Sequence, residues 1–300
     1  MSWTADDIPD QSGKTAVITG ANSGIGFETA RMLAERGARV ILACRNEEKA
    51  LVAMNSIKEK TPQSHLEFVE LDLASLASVK QCAEQIKSNH SSIDLLINNA
   101  GVMMPPFSQT EDGFELQFGV NFLGHFALTG RLLPLLEAAP AARVVSLSSL
   151  AHRTGAIDER SFRKPKRYWS WTAYEQSKLA CLMFALEFDR VLLAHKASTI
   201  SLAAHPGGVR TDLQRHNLLF FIGARCFGMS PERGALPTLY AATDSKAKRG
   251  SYIGPRWAFE FIGPPAPAVA SKKAKDKDMA KKLWSCAEEW TEVEYFSTNS

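Results

Sequence analysis

A chain of 300 residues with 45% hydrophobic content is long enough for one large α/β domain or two small ones. Its 35 Lys and Arg stand against 32 Asp and Glu, and a net charge of +3 is too mild an excess for a nucleic-acid partner. The five cysteines are scattered without a CxxC or Cys/His cluster, so neither a disulfide framework nor a metal site is indicated and a reducing compartment is expected.

Residues 1–13, MSWTADDIPDQSG, form a polar N-terminal extension without the apolar stretch of a signal peptide. No uncharged apolar run reaches the ~18 residues of a membrane span, and a cytoplasmic protein without a membrane segment is expected. Residues 15–19, TAVIT, are apolar and β-branched and predict a buried parallel strand. Gly20, Gly24 and Gly26 follow, with Asn22, Ser23 and Ile25 between them. From Gly24 the spacing turns helical: Ile25, Thr29, Met32 and Leu33 share a face, and Gly37 stands where a helix should end. A strand, a glycine turn and a helix N-terminus bring backbone N–H groups and a positive helix end onto a pyrophosphate. Three glycines also suit an ordinary loop; their place between strand and helix near the start of the chain favours a dinucleotide.

Residues 39–44 predict the second strand, with Arg45 at its end. An acid there would bond the ribose 2′-hydroxyl of NAD(H); an arginine accommodates a 2′-phosphate, so NADP(H) is expected over NAD(H). The plainer account of Arg45 is a solvated strand-end charge. Residues 66–71 alternate as a third strand and lead to Asp72 and Leu73. Ser75 then caps a helix whose inner face carries Val79, Cys82, Ala83 and Ile86. Residues 93–97 predict a fourth strand running into Asn98, Asn99, Ala100 and Gly101, small and amide residues suited to a ligand crevice.

Residues 113–136 predict one long helix with Phe114, Phe118, Phe122 and Phe126 as its core stripe. Asn121 lies among apolar neighbours and needs partners if buried. Residues 143–147 predict the fifth strand, followed by Ser148 and Ser149. The basic, aromatic stretch 151–172 reads equally as a solvated flap or as a cover over a substrate or surface. Residues 174–193 predict a helix, and residues 199–204 a sixth strand ending in His205, Pro206, Gly207 and Gly208. The loop 212–229 contains the apolar run LLFFI at 218–222, which suggests a mobile lid over a lipophilic substrate. Ser230 caps a helix beginning at Pro231, and residues 251–253 predict a short seventh strand. In the C-terminal extension 255–300, Met279, Leu283, Cys286 and Trp290 recur at helical spacing, as a docking helix requires. The alternation predicts a single doubly wound α/β domain of Rossmann type over residues 14–254, its parallel seven-stranded sheet flanked by helices.

Tyr174 and Lys178, four apart, share one helix face. Ser149 and Asn121 belong to the same sheet edge as the glycine turn. With TGANSGIG at 19–26, NNAG at 98–101, YEQSK at 174–178 and PGGVRT at 206–211, the chain resembles the short-chain dehydrogenase/reductase family over residues 14–254. The long loop opening with SSLAH is most similar to the retinol-dehydrogenase-like branch and its bacterial relatives. The resemblance implies a nicotinamide cofactor touching Gly20, Asn22, Ser23, Gly24, Ile25, Gly26, Arg45, Asp72, Leu73, Asn99, Ala100, Gly101, Tyr174, Lys178, Pro206, Gly207, Val209 and Thr211, with Thr211 on the carboxamide.

It also implies that the cofactor supplies hydride and Tyr174 the proton in interconverting a lipophilic alcohol with its aldehyde or ketone. The Lys178 ammonium stabilises the phenolate and seats the nicotinamide ribose. Ser149 donates to the substrate oxygen, a role whose loss typically costs ~10²–10³ in rate. Asn121 holds a relay water. His152 and His205 are then structural, and a homo-oligomer is left open. A dinucleotide-binding regulatory or interaction protein on the same fold is the alternative; the intact Asn121, Ser149, Tyr174 and Lys178 favour the enzyme.

Overall fold

The computed structural model describes residues 2–210 and 228–296. Thr211 and all of the expected lid but Gly228 and Met229 therefore lie outside the described residues. Strands β1 (Thr15–Thr19), β2 (Arg39–Cys44), β3 (His65–Glu70), β4 (Leu95–Asn98), β5 (Arg143–Leu147), β6 (Ile200–Ala204), β7 (Tyr252–Trp257) and β8 (Ile262–Pro267) form one sheet in the order β3-β2-β1-β4-β5-β6-β7-β8. The first seven run parallel and β8 pairs antiparallel with β7. The sheet thus has eight strands, where the sequence predicts seven. IGPPAP was unreadable as a strand because proline cannot donate to a ladder, yet an edge strand tolerates it.

Helices α1 (Gly24–Glu35), α2 (Glu47–Lys60) and α7 (Pro231–Thr243) cover one face. The other is covered by α3 (Leu76–Asn89), α4 (Leu116–Phe118), α5 (Gly124–Ala138), α6 (Ser170–Ala194) and α8 (Lys277–Thr291). Local chemistry accounts for their ends. Gly37 takes φ 91° and closes α1 in a Schellman pair, Gly37 N–H to Ala34 O and Ala38 N–H to Leu33 O. Asn46, Ser75 and Ser230 accept first-turn N–H groups of α2, α3 and α7.

Two helices depart from their predicted limits. The long helix starts at Leu116, because Gly113 sits at φ 78° in a turn and the buried Glu115 carboxylate caps the next two N–H groups. It is also interrupted by one π turn, Gly119–Leu123, that contains Asn121. Helix α6 begins at Ser170, a turn earlier than predicted, so Trp171 is helical.

The phenylalanine stripe is core throughout. Phe118 stacks on Phe162 at 4.2 Å, and Phe126 meets Trp284 of α8 at 5.1 Å. The loop 151–172 is therefore more than a flap, since its Phe162 is buried in the main core. Helix α8 turns Ala280, Leu283, Ala287 and Thr291 inward, with Cys286 at the margin. Sheet order reverses between β1 and β4, and their carboxyl ends open the crevice where ligands of such sheets bind. Among the described residues no helix is long and apolar enough to cross a membrane.

Candidate active site

The glycine turn leaves β1 at Thr19. Gly20 and Gly24 adopt φ 64° and 56°, and a Cβ on Gly26 would strike the Asn99 amide and the Gly20 carbonyl. Ser23 gives α1 no side-chain cap, so the positive helix end faces the crevice without one. Backbone closeness and an uncapped helix end are what a pyrophosphate needs, and the cradle fits a dinucleotide. Cys44 lies against the backbone of Gly20, Ala21 and Asn22, and burial pushes its thiol up to about 11, which leaves it inert.

Arg45 follows the end of β2, 73% exposed, with a long ion pair to Asp72 Oδ2 at 3.8 Å. Asp72 is fixed by the Ala74 N–H at 2.9 Å. The Leu73 side chain is core, packed beside Gly124, so only its backbone is available to a ligand.

Thr19 orders the next loop. Its hydroxyl accepts from the N–H groups of Asn99 and Ala100, each at 2.9 Å, and lies 2.8 Å from His125 Nε2. His125 Nδ1 lies 2.9 Å from the Asn121 carbonyl, which can only accept. Nδ1 therefore carries the proton, and Thr19 donates to Nε2. The Asn121 side chain is fully engaged: Oδ1 accepts from Val102 N–H at 2.8 Å, and Nδ2 donates to Val102 O and Ser177 Oγ. Its carbonyl also accepts from Cys181 Sγ at 3.1 Å.

Lys178 is buried, donates to Leu147 O at 3.1 Å, and lies 5.9 Å from the Tyr174 ring centre. A Cβ on Gly101 would lie 3.0 Å from Asn121 Oδ1 and 3.5 Å from Lys178 Nζ. Gly101, Asn121 and Lys178 thus meet in one small volume. Ser149 begins the turn Leu150–Arg153 and accepts from Ala151 N–H at 3.2 Å; Ala151 and Tyr174 pack in one apolar cluster.

The far wall is Pro206–Val209. Gly207 takes φ 71° beneath the Phe261 carbonyl, which accepts from Gly208 N–H at 2.9 Å, while Val209 pairs with Met229. Sequence reasoning missed Glu260. It sits in the β7–β8 turn, where Ala258, Phe259 and Glu260 are all left-handed, and it accepts from Arg153, His205 and Val269 N–H. Burial pushes the Glu260 carboxyl up, but the bonds from His205 and Val269 with the Arg153 charge hold it below the ordinary value. This carboxylate ties the Ser149 turn to the Pro206–Gly208 turn across the chain, and no local pattern foretold it. His125 did carry a signal: it lies four residues after Asn121, one helical turn away.

Burial, above all, pushes the His125 imidazole down to about 4, with the Lys178 charge acting in the same direction. An unfolded histidine titrates near 6.5, so the unfolded chain takes up this proton before the folded one. The stability tied to neutral His125 is complete above the unfolded value and is lost as pH falls from there through about 4. The expected slope is about 1.4 kcal/mol per pH unit inside that window. Urea unfolding of the unmodified protein and of a His125→Gln variant, each at about pH 7.5 and about pH 5, measures it, and an equal pH dependence in both would contradict the assignment.

A glycine-turned βα unit at the switch point of a mostly parallel sheet defines a dinucleotide-binding fold. The chain belongs to the short chain dehydrogenase family, whose model matches residues 14–218, and within it to the retinol-dehydrogenase-like branch. It is 40% identical over 285 residues to retinol dehydrogenase 13 of Mus musculus, covering 91% of this chain and 82% of that protein. A crystal structure of an uncharacterized protein from Mycobacterium Paratuberculosis is similar with TM-score 0.84 and 42% identity over 99% of this chain and all of that one. A short chain dehydrogenase from Shigella flexneri 2a str. 301, solved with NADP, aligns at TM-score 0.62 and 27% identity over 81% of this chain and 97% of that one.

Proposed function

We propose that this protein interconverts a lipophilic alcohol and its aldehyde or ketone with NADP(H), using Tyr174 as the proton donor and acceptor. The observation that carries the reading is the meeting of Gly101, Asn121 and Lys178 in one volume below Tyr174, at the edge that also bears the glycine turn. Bound in that cradle, the dinucleotide supplies the hydride. Residues 20–26 would hold its pyrophosphate, and Asn99, Ala100, Gly101, Pro206, Gly207, Val209 and Thr211 would contribute to its binding.

Tyr174 gives its proton to the substrate oxygen as negative charge develops there, and the nearby Lys178 ammonium stabilises the phenolate left behind. Ser149 donates to the same oxygen. The Asn121 carbonyl already accepts from His125 and Cys181, so a relay water there shares a crowded acceptor. A lipophilic substrate is supported by the retinol named in a relative and by the apolar sequence of residues 218–222.

Arg45, with only a loose carboxylate beside it, is the residue for the 2′-phosphate. A charge-assisted bond is worth ~1.5–3 kcal/mol, so Arg45→Asp is expected to weaken NADPH binding roughly tenfold to a hundredfold and to reverse the preference toward NADH. Calorimetric titration with both cofactors decides it: tighter binding of NADH by the unmodified protein would overturn the assignment. Turnover of long-chain aldehydes with NADPH tests the reaction itself.

A further inference from the structure

Tyr174 is only 5% exposed, and its apolar shell is neither of the two main cores. It packs with Met103, Met104 and Ala151 in a separate small cluster, and Trp171 lies against that cluster with its ring 5.9 Å from the tyrosine ring. These four side chains make up the apolar packing around the Tyr174 ring. Two lie two and three residues after Gly101, one belongs to the turn begun by Ser149, and one to the first turn of α6.

Met104 has a further peculiarity. Its φ of 51° is left-handed, a strained conformation sparsely used by long side chains. The strain is held in place: Met104 N–H donates to Oε1 of the fully buried Gln117, whose amide donates to the Tyr168 hydroxyl and the Ser170 carbonyl. A buried polar network thus fixes the backbone that puts a methionine into the cluster around Tyr174. Simple core filling has no need of it.

Resting on the activity proposed above, we infer that Met103, Met104 and Trp171 form the wall along which the substrate's hydrocarbon chain lies, and that they select long chains over short ones. Thioethers on three rotatable bonds can adapt to an extended aliphatic or polyene chain, and an indole offers it a flat, rigid face. Ala151, the small member, leaves room for the reacting carbon.

The test measures binding of 2-decanone and 2-butanone to the full chain with NADP⁺, a pairing with no hydride to transfer, so it does not depend on turnover. With roughly fourfold per buried methylene, the unmodified protein should prefer 2-decanone by at least about thirtyfold. Met104→Gly suits the left-handed backbone and removes only the side chain; it should reduce that ratio at least about fivefold. Trp171→Leu should do the same, and carries the test if the first variant does not fold. A ratio near one in the unmodified protein, binding of neither ketone, or an undiminished ratio in both variants would overturn the wall. Absence of NADPH-dependent turnover on every aldehyde and ketone would instead defeat the proposed activity, with the ketone ratio still judging the wall separately.

Discussion

Tyr174→Phe is expected to lower turnover by about 10²–10⁴-fold while leaving NADPH binding nearly unchanged. The ring of Tyr174 would still fill its place among Met103, Met104 and Trp171, so the substitution removes one hydroxyl and little packing. In the proposed function that hydroxyl acts where charge develops in the transition state and adds little to seating the cofactor. Lys178→Ala should impair both quantities, because in the proposed function its ammonium serves the phenol and the ribose alike. It also removes the donor to Leu147 O from a buried position. Steady-state rates paired with NADPH titration separate the two effects. Should Tyr174→Phe keep more than about a tenth of the activity, a loss of at most ~1.4 kcal/mol, another group must supply the proton.

Phe126→Ala is expected to cost ~3–5 kcal/mol of stability. Phe126 is fully buried, and its ring meets Phe122, Phe184, Trp284 and Tyr295 at centre distances of 6.0, 5.5, 5.1 and 4.9 Å. The Tyr295 hydroxyl also donates to the Phe126 carbonyl at 2.6 Å. Removing the ring leaves a cavity among rigid aromatic neighbours from three helices and from Tyr295 beyond α8, which cannot collapse to fill it. Urea unfolding measures the loss; a change under ~1 kcal/mol would mean that α8 and Tyr295 do not pack on α5 as described.

Much of this architecture was legible because local chemistry sets it. TAVIT and RVILAC are too apolar and β-branched for anything but buried strands, and β1 and β2 occupy those residues. Ser75 caps α3, and Val79, Cys82, Ala83 and Ile86 are its buried face, since a helix of 3.6 residues per turn leaves no other assignment. The glycine turn is likewise written as a spaced motif, whereas Asn121, Ser149 and the Tyr174–Lys178 pair stand out only through the resemblance to the family. Long-range partners decided the rest. β8 exists because β7 offers it an edge, against the preference of its own prolines. The π turn at Asn121 is stabilised by Val102, Ser177 and Cys181, up to 60 positions away. Glu260 reaches His205 and Arg153 across 55 residues and more, and Met104 owes its left-handed backbone to Gln117. Periodicity and capping are written in neighbouring residues and survive in sequence alone; satisfaction of buried polar groups is a property of which distant segments meet, and only the folded chain specifies that.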